Sequence, residues 1–263
     1  MIFSSTNRKL ANTIRGCAEL SIDQCQNKQE WISGINYLTD HFLFDLSIYR
    51  NIRIVDYLVK KIPQNAKVLD WGCGYGDVSY LLKNKRPDLE IILYDVLSSP
   101  PWEVLTKHAN LKKIICRDQR KIPFQDNFFD AIVGVGVLEH VEDQKYSLKE
   151  VYRILKPKAQ FFVFLYPNSF SYTEKFQKLI KHPFHENPLS IKELSKSLTD
   201  AKFLAQDQRY QFMLPFILSR FPICARRSYN IFGNLIALIN IIFEKIPLLN
   251  KLSSNIMIVV RKR

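Results

Sequence analysis

Apolar residues are spaced in two ways along this chain, and the change of spacing predicts where helices and strands lie. From residue 48 to 62 they recur every three or four positions, which is typical of a helix, and Pro63 ends the pattern. Residues 1–47 are polar with scattered apolar positions and predict an N-terminal helical extension. Residues 48–263 are expected to form one domain.

Short apolar runs replace the helical spacing after residue 65. Five of them alternate with helical or loop segments, and we expect a strand within each of 66–72, 89–95, 111–118, 128–140 and 159–168. This alternation predicts a mostly parallel sheet with helices on both faces. The run 255–260 predicts a last strand that returns to the sheet, whereas 202–214 predicts a strand or an irregular segment.

Two further helices are predicted from local signals. Residues 144–155 continue from the fourth strand with helical spacing. Ser190 stands three residues before Glu193, which is a capping box and predicts a helix start.

The positive charge is concentrated at the end of the chain. The 263 residues carry a net charge of +13, and residues 201–263 hold 10 Lys and Arg against 2 Asp and Glu. The rest of the chain is close to balanced, so a basic surface along the whole body is not expected. The five cysteines are odd in number and widely spaced, which favours a reducing compartment over a disulfide framework.

The basic segment is also apolar, and residues 212–253 are expected to form an insertion before the last strand. Its longest uncharged stretch, 228–243, is shorter than the roughly 18–20 apolar residues that span a bilayer. Three interpretations stay open: a lid helix packed on the sheet, a dimer contact, and a patch that lies on an anionic membrane or holds a lipid-linked substrate. Since the first residues contain no apolar signal region, we expect a cytoplasmic location, either free or peripheral at the inner face of the membrane.

The densest chemical signal is the glycine-rich stretch 70–77, in which a predicted strand runs through a loop into a helix. Glycine at alternate positions lets the backbone approach a ligand closely, and the helix start supplies free N–H groups. The dinucleotide fingerprint needs glycine where Asp77 stands, and this acid would repel a pyrophosphate. Binding of a dinucleotide is therefore disfavoured.

Further acids follow the next two strands. Asp95 ends the second strand and Asp118 follows the third, so both are expected at the carboxyl edge of the sheet. Ribose hydroxyls, an amino group and an adenine amine are all donors that suit such carboxylates.

The stretches DWGCGYG, LEIILYD and RDQRKIPFQDNFFDAIVGVGVLEHV together resemble motifs of the class I S-adenosylmethionine-dependent methyltransferases. The resemblance covers residues 48–168 and is strongest to the ubiquinone-biosynthesis-like branch that methylates small molecules. It implies a Rossmann-like seven-stranded α/β sheet, a methyltransferase domain over 48–263, and S-adenosylmethionine as cofactor. The cofactor-binding residues that it implies are Asp70, Gly72, Cys73, Gly74, Gly76, Asp95, Val96, Asp118, Gln119 and Val135.

The resemblance also assigns parts of the cofactor to these residues. Asp70 and the backbone of 72–74 would hold the methionine part, and Asp95 the ribose. Asp118 and Gln119 would bind the adenine, and Val135 would line the pocket beside the sulfonium.

A hydroxyl acceptor would also need a general base, for which His140 and His185 are the candidates. His140 follows the fourth strand, and His185 lies in a loop after the fifth; either is also compatible with a merely solvated histidine. No metal site is expected.

We expect methyl transfer to a small-molecule or lipid-linked acceptor, and our leading hypothesis for the acceptor group is a saccharide hydroxyl. The alternatives are an RNA methyltransferase, supported only by net charge, and a non-catalytic module that binds S-adenosylmethionine. A nucleic-acid partner is not expected, and a homodimer is left open.

Overall fold

The central sheet has seven strands in the order β3-β2-β1-β4-β5-β7-β6. The computed structural model describes residues 4–25, 31–96, 103–116, 121–179, 188–218 and 221–263. The strands are β1 Lys67–Trp71, β2 Glu90–Asp95, β3 Lys112–Ile115, β4 Phe129–Val135, β5 Leu155–Pro167, β6 Phe203–Gln211 and β7 Asn255–Lys262. The first five are parallel, and β7 lies antiparallel between β5 and β6. This confirms the predicted Rossmann-like, mostly parallel sheet.

Helices cover both faces of the sheet. They are α1 Ser5–Cys25, α2 Ile32–Phe42, α3 Asp45–Val59, α4 Asp77–Lys85, α5 Val104–His108, α6 Gln144–Ile154, α7 Tyr172–Leu179, α8 Ile191–Asp200, α9 Ile223–Ile231 and α10 Gly233–Phe243, followed by a short 3-10 helix, Leu249–Leu252. Successive strand residues point to opposite faces, so Val68 packs with α1, α3 and α4, whereas Leu69 packs with α6 and α8. Both faces of the parallel strands are therefore buried, as the uninterrupted apolar runs predict.

The N-terminal segment forms two helices that take part in this packing. Ile14 and Ala18 of α1 are fully buried in the same apolar cluster as Ile52 of α3. Phe42, at the end of α2, packs on Tyr75 of the glycine-rich loop, with ring centroids 5.0 Å apart and planes tilted by 31°. The predicted boundary between 1–47 and 48–263 stays a prediction, but the extension is packed against the sheet.

Several element ends differ from the predictions for local reasons. The helix expected at 48–62 is α3, which begins at Asp45 and ends at Val59, where the chain turns before Pro63. Strand β5 begins at Leu155, earlier than expected, because Leu155 already pairs with Phe129 of β4, ahead of a bulge that shifts the register. The segment 202–214, left open between strand and irregular structure, contains β6. The capping box of Ser190 and Glu193 is present at the start of α8.

Helices α9 and α10 form the insertion between β6 and β7 and pack on α3. The Asn240 carboxamide accepts from Leu214 N at 2.8 Å and donates to Leu214 O at 3.2 Å. Arg53 of α3 makes two hydrogen bonds to Glu244, at 3.0 and 2.7 Å. In the described part of the chain no helix combines the length and the apolar character that crossing a bilayer requires.

Candidate active site

The crevice at the carboxyl ends of β1 and β4 is where an open α/β sheet binds ligands. The chain proceeds from β1 to β2 and β3 on one side and to β4 and β5 on the other, so the connections diverge beside β1. The glycine-rich loop 72–76 follows β1 into α4, and Asp95 ends β2. The turn at Gly136 follows β4. The predicted site residues that the structure describes thus lie at one edge of the sheet.

Backbone hydrogen bonds hold the glycine-rich loop in a tight fold. Gly72 N and Cys73 N both donate to Tyr94 O, at 2.9 and 3.1 Å. Gly72 has φ +70°, and a Cβ there would lie 2.2 Å from Val137, so this position requires glycine. Burial raises the pKa of the Cys73 thiol well above its usual range, so Cys73 is suited to packing and not to nucleophilic attack.

Gly74 differs from the other loop glycines because it borders open space. Its φ is +51°, and a Cβ built there would meet nothing within 4 Å. Its N–H donates to Asp95 Oδ2 at 2.6 Å, and its carbonyl accepts from Lys113 Nζ at 2.9 Å. The hydrogen bonds to Asp95 and Lys113 therefore fix the loop backbone, and the open space beside Gly74 makes it accessible to a ligand.

Three buried carboxyl groups surround this loop. Ser79 Oγ donates to Asp70 Oδ2 at 2.6 Å, and Asn51 Nδ2 donates to Asp77 Oδ2. The pKa of Asp70 is raised to about 7, chiefly by burial and also by the negative charges of Asp77 and Asp95, against the opposing effects of the Ser79 hydrogen bond and of Lys113. Burial likewise raises the pKa of Asp77, while the Asn51 hydrogen bond and the charge of Arg50 lower it.

The raised pKa values of Asp70 and Asp77 mean that burial makes their ionised forms unfavourable in the unliganded crevice. A positively charged ligand would favour the ionised carboxylates and bind well. Asp77, which we expect to repel a pyrophosphate, thus helps to make the site favour cations.

Helix α2 brings to the crevice a group of residues that the sequence patterns did not indicate. Tyr37 and His41, one turn apart, stack with ring centroids 3.9 Å apart and planes at 12°. Tyr37 is 38% exposed, yet its pKa is raised by burial and then by the charges of Asp77, Asp95 and Glu139. It therefore faces the crevice. A tyrosine four residues before a histidine, in a helical segment, was the only signal for this pair.

His41 is held neutral by its surroundings. Burial lowers the pKa of His41 well below its ordinary range, and the neighbouring charge of Arg50 lowers it further. Arg50 Nη2 lies 3.5 Å from His41 Nδ1. A guanidinium can only donate, so Nδ1 faces it as an acceptor and the ring proton is on Nε2.

The remaining predicted residues are divided between the site edge and segments that are not described. His140 follows β4, its N–H donates to Val137 O at 2.9 Å, and its side chain is 62% exposed. Its Nε2 is 4.0 Å from Oε1 of Glu139, which is largely buried.

Val96 and Val135, at the ends of β2 and β4, are half-buried. Asp118, Gln119 and His185 lie outside the described residues, so their roles stay predictions.

Sequence comparison places the chain that forms this crevice in a known family. The profile of a family described as "Methyltransferase domain" matches residues 40–208, which include α3, the glycine-rich loop and strands β1 to β5. The chain belongs to this family. It is an S-adenosylmethionine-dependent methyltransferase, as the motif resemblance predicts.

Similar proteins agree with this assignment. A demethylmenaquinone methyltransferase of Thermotoga maritima is 36% identical over 125 residues, which are 47% of this chain and 53% of that protein. The chain thus matches about half the length of this curated relative. Among solved structures, an S-adenosylmethionine-dependent methyltransferase of Thermotoga maritima has a TM-score of 0.56 at 16% identity, covering 92% of this chain and 99% of that one.

The fold is not confined to methyl transfer. The cyclase SpnF also has a TM-score of 0.56, at 17% identity, covering 80% of each chain. Fold likeness at this identity therefore describes the architecture, and the chemistry of this methyltransferase has to be argued from its own residues.

The residues of the crevice fit S-adenosylmethionine. The methionine part of this molecule carries a positive ammonium and a positive sulfonium, which suit a crevice lined by Asp70, Asp77 and Asp95. The open space at Gly74 lets a ligand contact the loop backbone without a side chain in the way.

Proposed function

We propose that this methyltransferase transfers a methyl group to a small, lipid-linked acceptor in the crevice between the glycine-rich loop and α2. The observation that carries the proposal is the cluster of buried acids around an open glycine loop. Burial raises the pKa of Asp70 and of Asp77, and a cationic cofactor bound beside them would favour their ionised forms.

In this proposal each part of the cofactor has its own residues. Asp70 and the backbone of 72–74 hold the methionine part, with Cys73 and Gly76 shaping the loop. Asp95, at the end of β2, binds the ribose beside Val96. Asp118 and Gln119 bind the adenine, and Val135 lines the pocket beside the sulfonium.

When bound, S-adenosylmethionine supplies a methyl group on a positively charged sulfur and departs as a neutral thioether. The protein has little covalent chemistry to perform, so alignment of the acceptor is its main contribution. The Tyr37 and His41 pair forms the wall of the crevice on the α2 side. His41 carries its proton on Nε2, so it donates a hydrogen bond to an acceptor oxygen and positions it.

Proton removal falls to another group when the acceptor is a hydroxyl. His140 is exposed to solvent and lies beside Glu139, whose carboxylate would stabilise the imidazolium after proton uptake. An acceptor that reacts at a carbon of an already ionised ring needs no such base at the moment of transfer. His140 is therefore required for some acceptors and dispensable for others.

Two observations support a lipid-linked acceptor. The relative from Thermotoga maritima is named for methylation of demethylmenaquinone. In this chain, α2 is attached through Asp40 and Arg226 to α9, which exposes large apolar side chains. The RNA alternative has less support, because the basic side chains of this segment accompany aliphatic residues and not a row of stacking aromatics.

Methyl transfer is tested by incubating the protein with S-adenosylmethionine labelled on its methyl group and a cell extract. The extract is separated into lipid, water-soluble small-molecule and RNA fractions. Label in the lipid fraction that disappears with Asp95→Asn supports the proposal. Label only in RNA, or in a water-soluble saccharide, refutes the acceptor class, and no label above the Asp95→Asn background refutes methyl transfer. Asp200→Asn, an exposed acid at the end of α8, is the matched control.

A further inference from the structure

Helices α9 and α10 and the turn after them expose a row of large apolar side chains, here named the apolar ridge. Its members are Phe221, Ile223, Ile231, Phe232, Leu235, Leu238, Ile242, Ile246, Leu248 and Leu249. A concentration of exposed large apolar side chains in one segment is typical of an interaction site. The catalytic crevice does not account for it.

The ridge exists because α10 is apolar on two opposite sides. Gly233, Ile236, Ala237 and Asn240 form the buried side. Leu235, Leu238 and Ile242 lie on the other side at spacings of three and four, and are 53%, 52% and 48% exposed. Packing on the protein uses one side and leaves the other uncovered.

Polar contacts fix the insertion in this orientation. Asn240 makes two hydrogen bonds to the backbone of Leu214, and Glu244 pairs with Arg53, their side chains being 16% and 22% exposed. Asn230 Oδ1 of α9 accepts from Leu46 N at 3.1 Å. Turning the ridge inward would break these contacts, so its exposure is a property of the folded state.

The charges around the ridge are positive. Arg227, Lys245 and Lys251 are exposed beside it. From residue 208 to 263 the sequence contains one acid, Glu244, and its charge is matched by Arg53. A second copy of this chain docked face to face would bring these cations together, which is unfavourable. An anionic lipid surface complements both the apolar side chains and the cations.

We propose that the apolar ridge docks this methyltransferase on anionic membrane surfaces, with its aliphatic side chains inserted at the headgroup boundary. Arg226 of α9 pairs with Asp40, the residue before His41, so docking holds the membrane next to the α2 wall of the crevice. The docking itself is independent of the acceptor; its purpose, delivery of a lipid-linked acceptor, rests on the proposed function.

Vesicle sedimentation tests the docking. The full chain is mixed with vesicles of phosphatidylcholine alone, or with about a third phosphatidylglycerol, and the bound fraction is measured at low and physiological salt. We expect binding to the anionic vesicles that weakens as salt rises.

The double variant Leu238→Ser, Ile242→Ser should reduce vesicle binding about tenfold or more, since two aliphatic side chains that would insert into lipid are lost. Arg227→Glu should reduce binding about tenfold on anionic vesicles and leave any binding to phosphatidylcholine unchanged.

Controls separate docking from folding and from cofactor binding. Leu20→Ser on α1 and Lys192→Glu on α8 change an exposed leucine and an exposed lysine elsewhere, and should bind vesicles like wild type. S-adenosylmethionine affinity should be unchanged in the ridge variants, so loss of docking is distinguishable from loss of the active site. Equal binding of ridge variants and wild type would overturn the proposal. So would a wild-type dimer that the double variant dissolves, because the ridge would then be a subunit interface.

Discussion

Replacing Asp70 by asparagine should make the free protein more stable while weakening its cofactor site. Asp70 is 4% exposed, and its pKa is raised from 3.8 to about 7 chiefly by burial. Folding therefore disfavours its ionised form above pH 4, where the unfolded chain would ionise it. The asparagine side chain would keep the shape of the carboxyl group and would still accept the Ser79 hydroxyl proton without the charge.

The size of the effect follows from the pKa. A difference of one in pKa corresponds to about 1.36 kcal/mol, so ionised Asp70 costs the folded state about 4 kcal/mol above pH 7. The Ser79 hydrogen bond, which favours the ionised form, is already included in this pKa. The gain of Asp70→Asn in unfolding free energy is therefore about 4 kcal/mol, or a rise in Tm of about 8–16 °C for a domain of this size.

The pH dependence distinguishes this cause from a general packing effect. Below about pH 4 the carboxyl group is protonated in both the folded and the unfolded state, so the variant gains nothing. The gain should grow as the pH rises from about 4 to about 7 and stay constant above that.

The assay is thermal unfolding of both proteins, without cofactor, at several pH values between 4.5 and 8. A variant that melts below wild type at pH 8 would refute the reasoning, as would a difference in Tm that does not vary with pH.

Three further predictions concern the crevice. S-adenosylmethionine affinity should fall by up to about tenfold per pH unit below 7, because protonated Asp70 no longer attracts a cation; titration calorimetry at pH 6 and 8 checks this. Gly72→Ala should destabilise the fold by about 1–3 kcal/mol, because the new Cβ would clash with Val137. Gly74→Ala should weaken cofactor binding more than it lowers Tm, because its Cβ would enter the open space beside the loop. Thermal unfolding and titration calorimetry of the two variants test these expectations. His41→Ala should raise the KM for the acceptor about tenfold and leave cofactor affinity unchanged, as measured by steady-state kinetics. A fall in kcat without a change in KM would disprove the positioning role.

The sheet could be predicted from sequence because its strands are buried on both faces and appear as uninterrupted apolar runs. The glycines of the loop and Asp95 follow directly after such strands, so their common position at one edge follows from parallel order. The start of β5 could not be predicted, since it depends on a bulge against β4.

The α2 wall was missed for a different reason. Tyr37 and His41 precede the first strand, in a segment whose apolar positions are few, and the packing of Phe42 on Tyr75 orients them. Nothing local encodes that contact. The same holds for the ridge: the apolar character of α10 is visible in the sequence, but which side stays exposed depends on Asn240 and Glu244.

The central claim is that the acid-lined crevice binds S-adenosylmethionine, and calorimetric titration of the wild-type protein tests it most directly. At pH 8 we predict one site per chain, weakened about tenfold or more by Asp95→Asn and unchanged by Asp200→Asn. Equal affinity in wild type and Asp95→Asn, or no heat of binding in any of the three proteins, would contradict it.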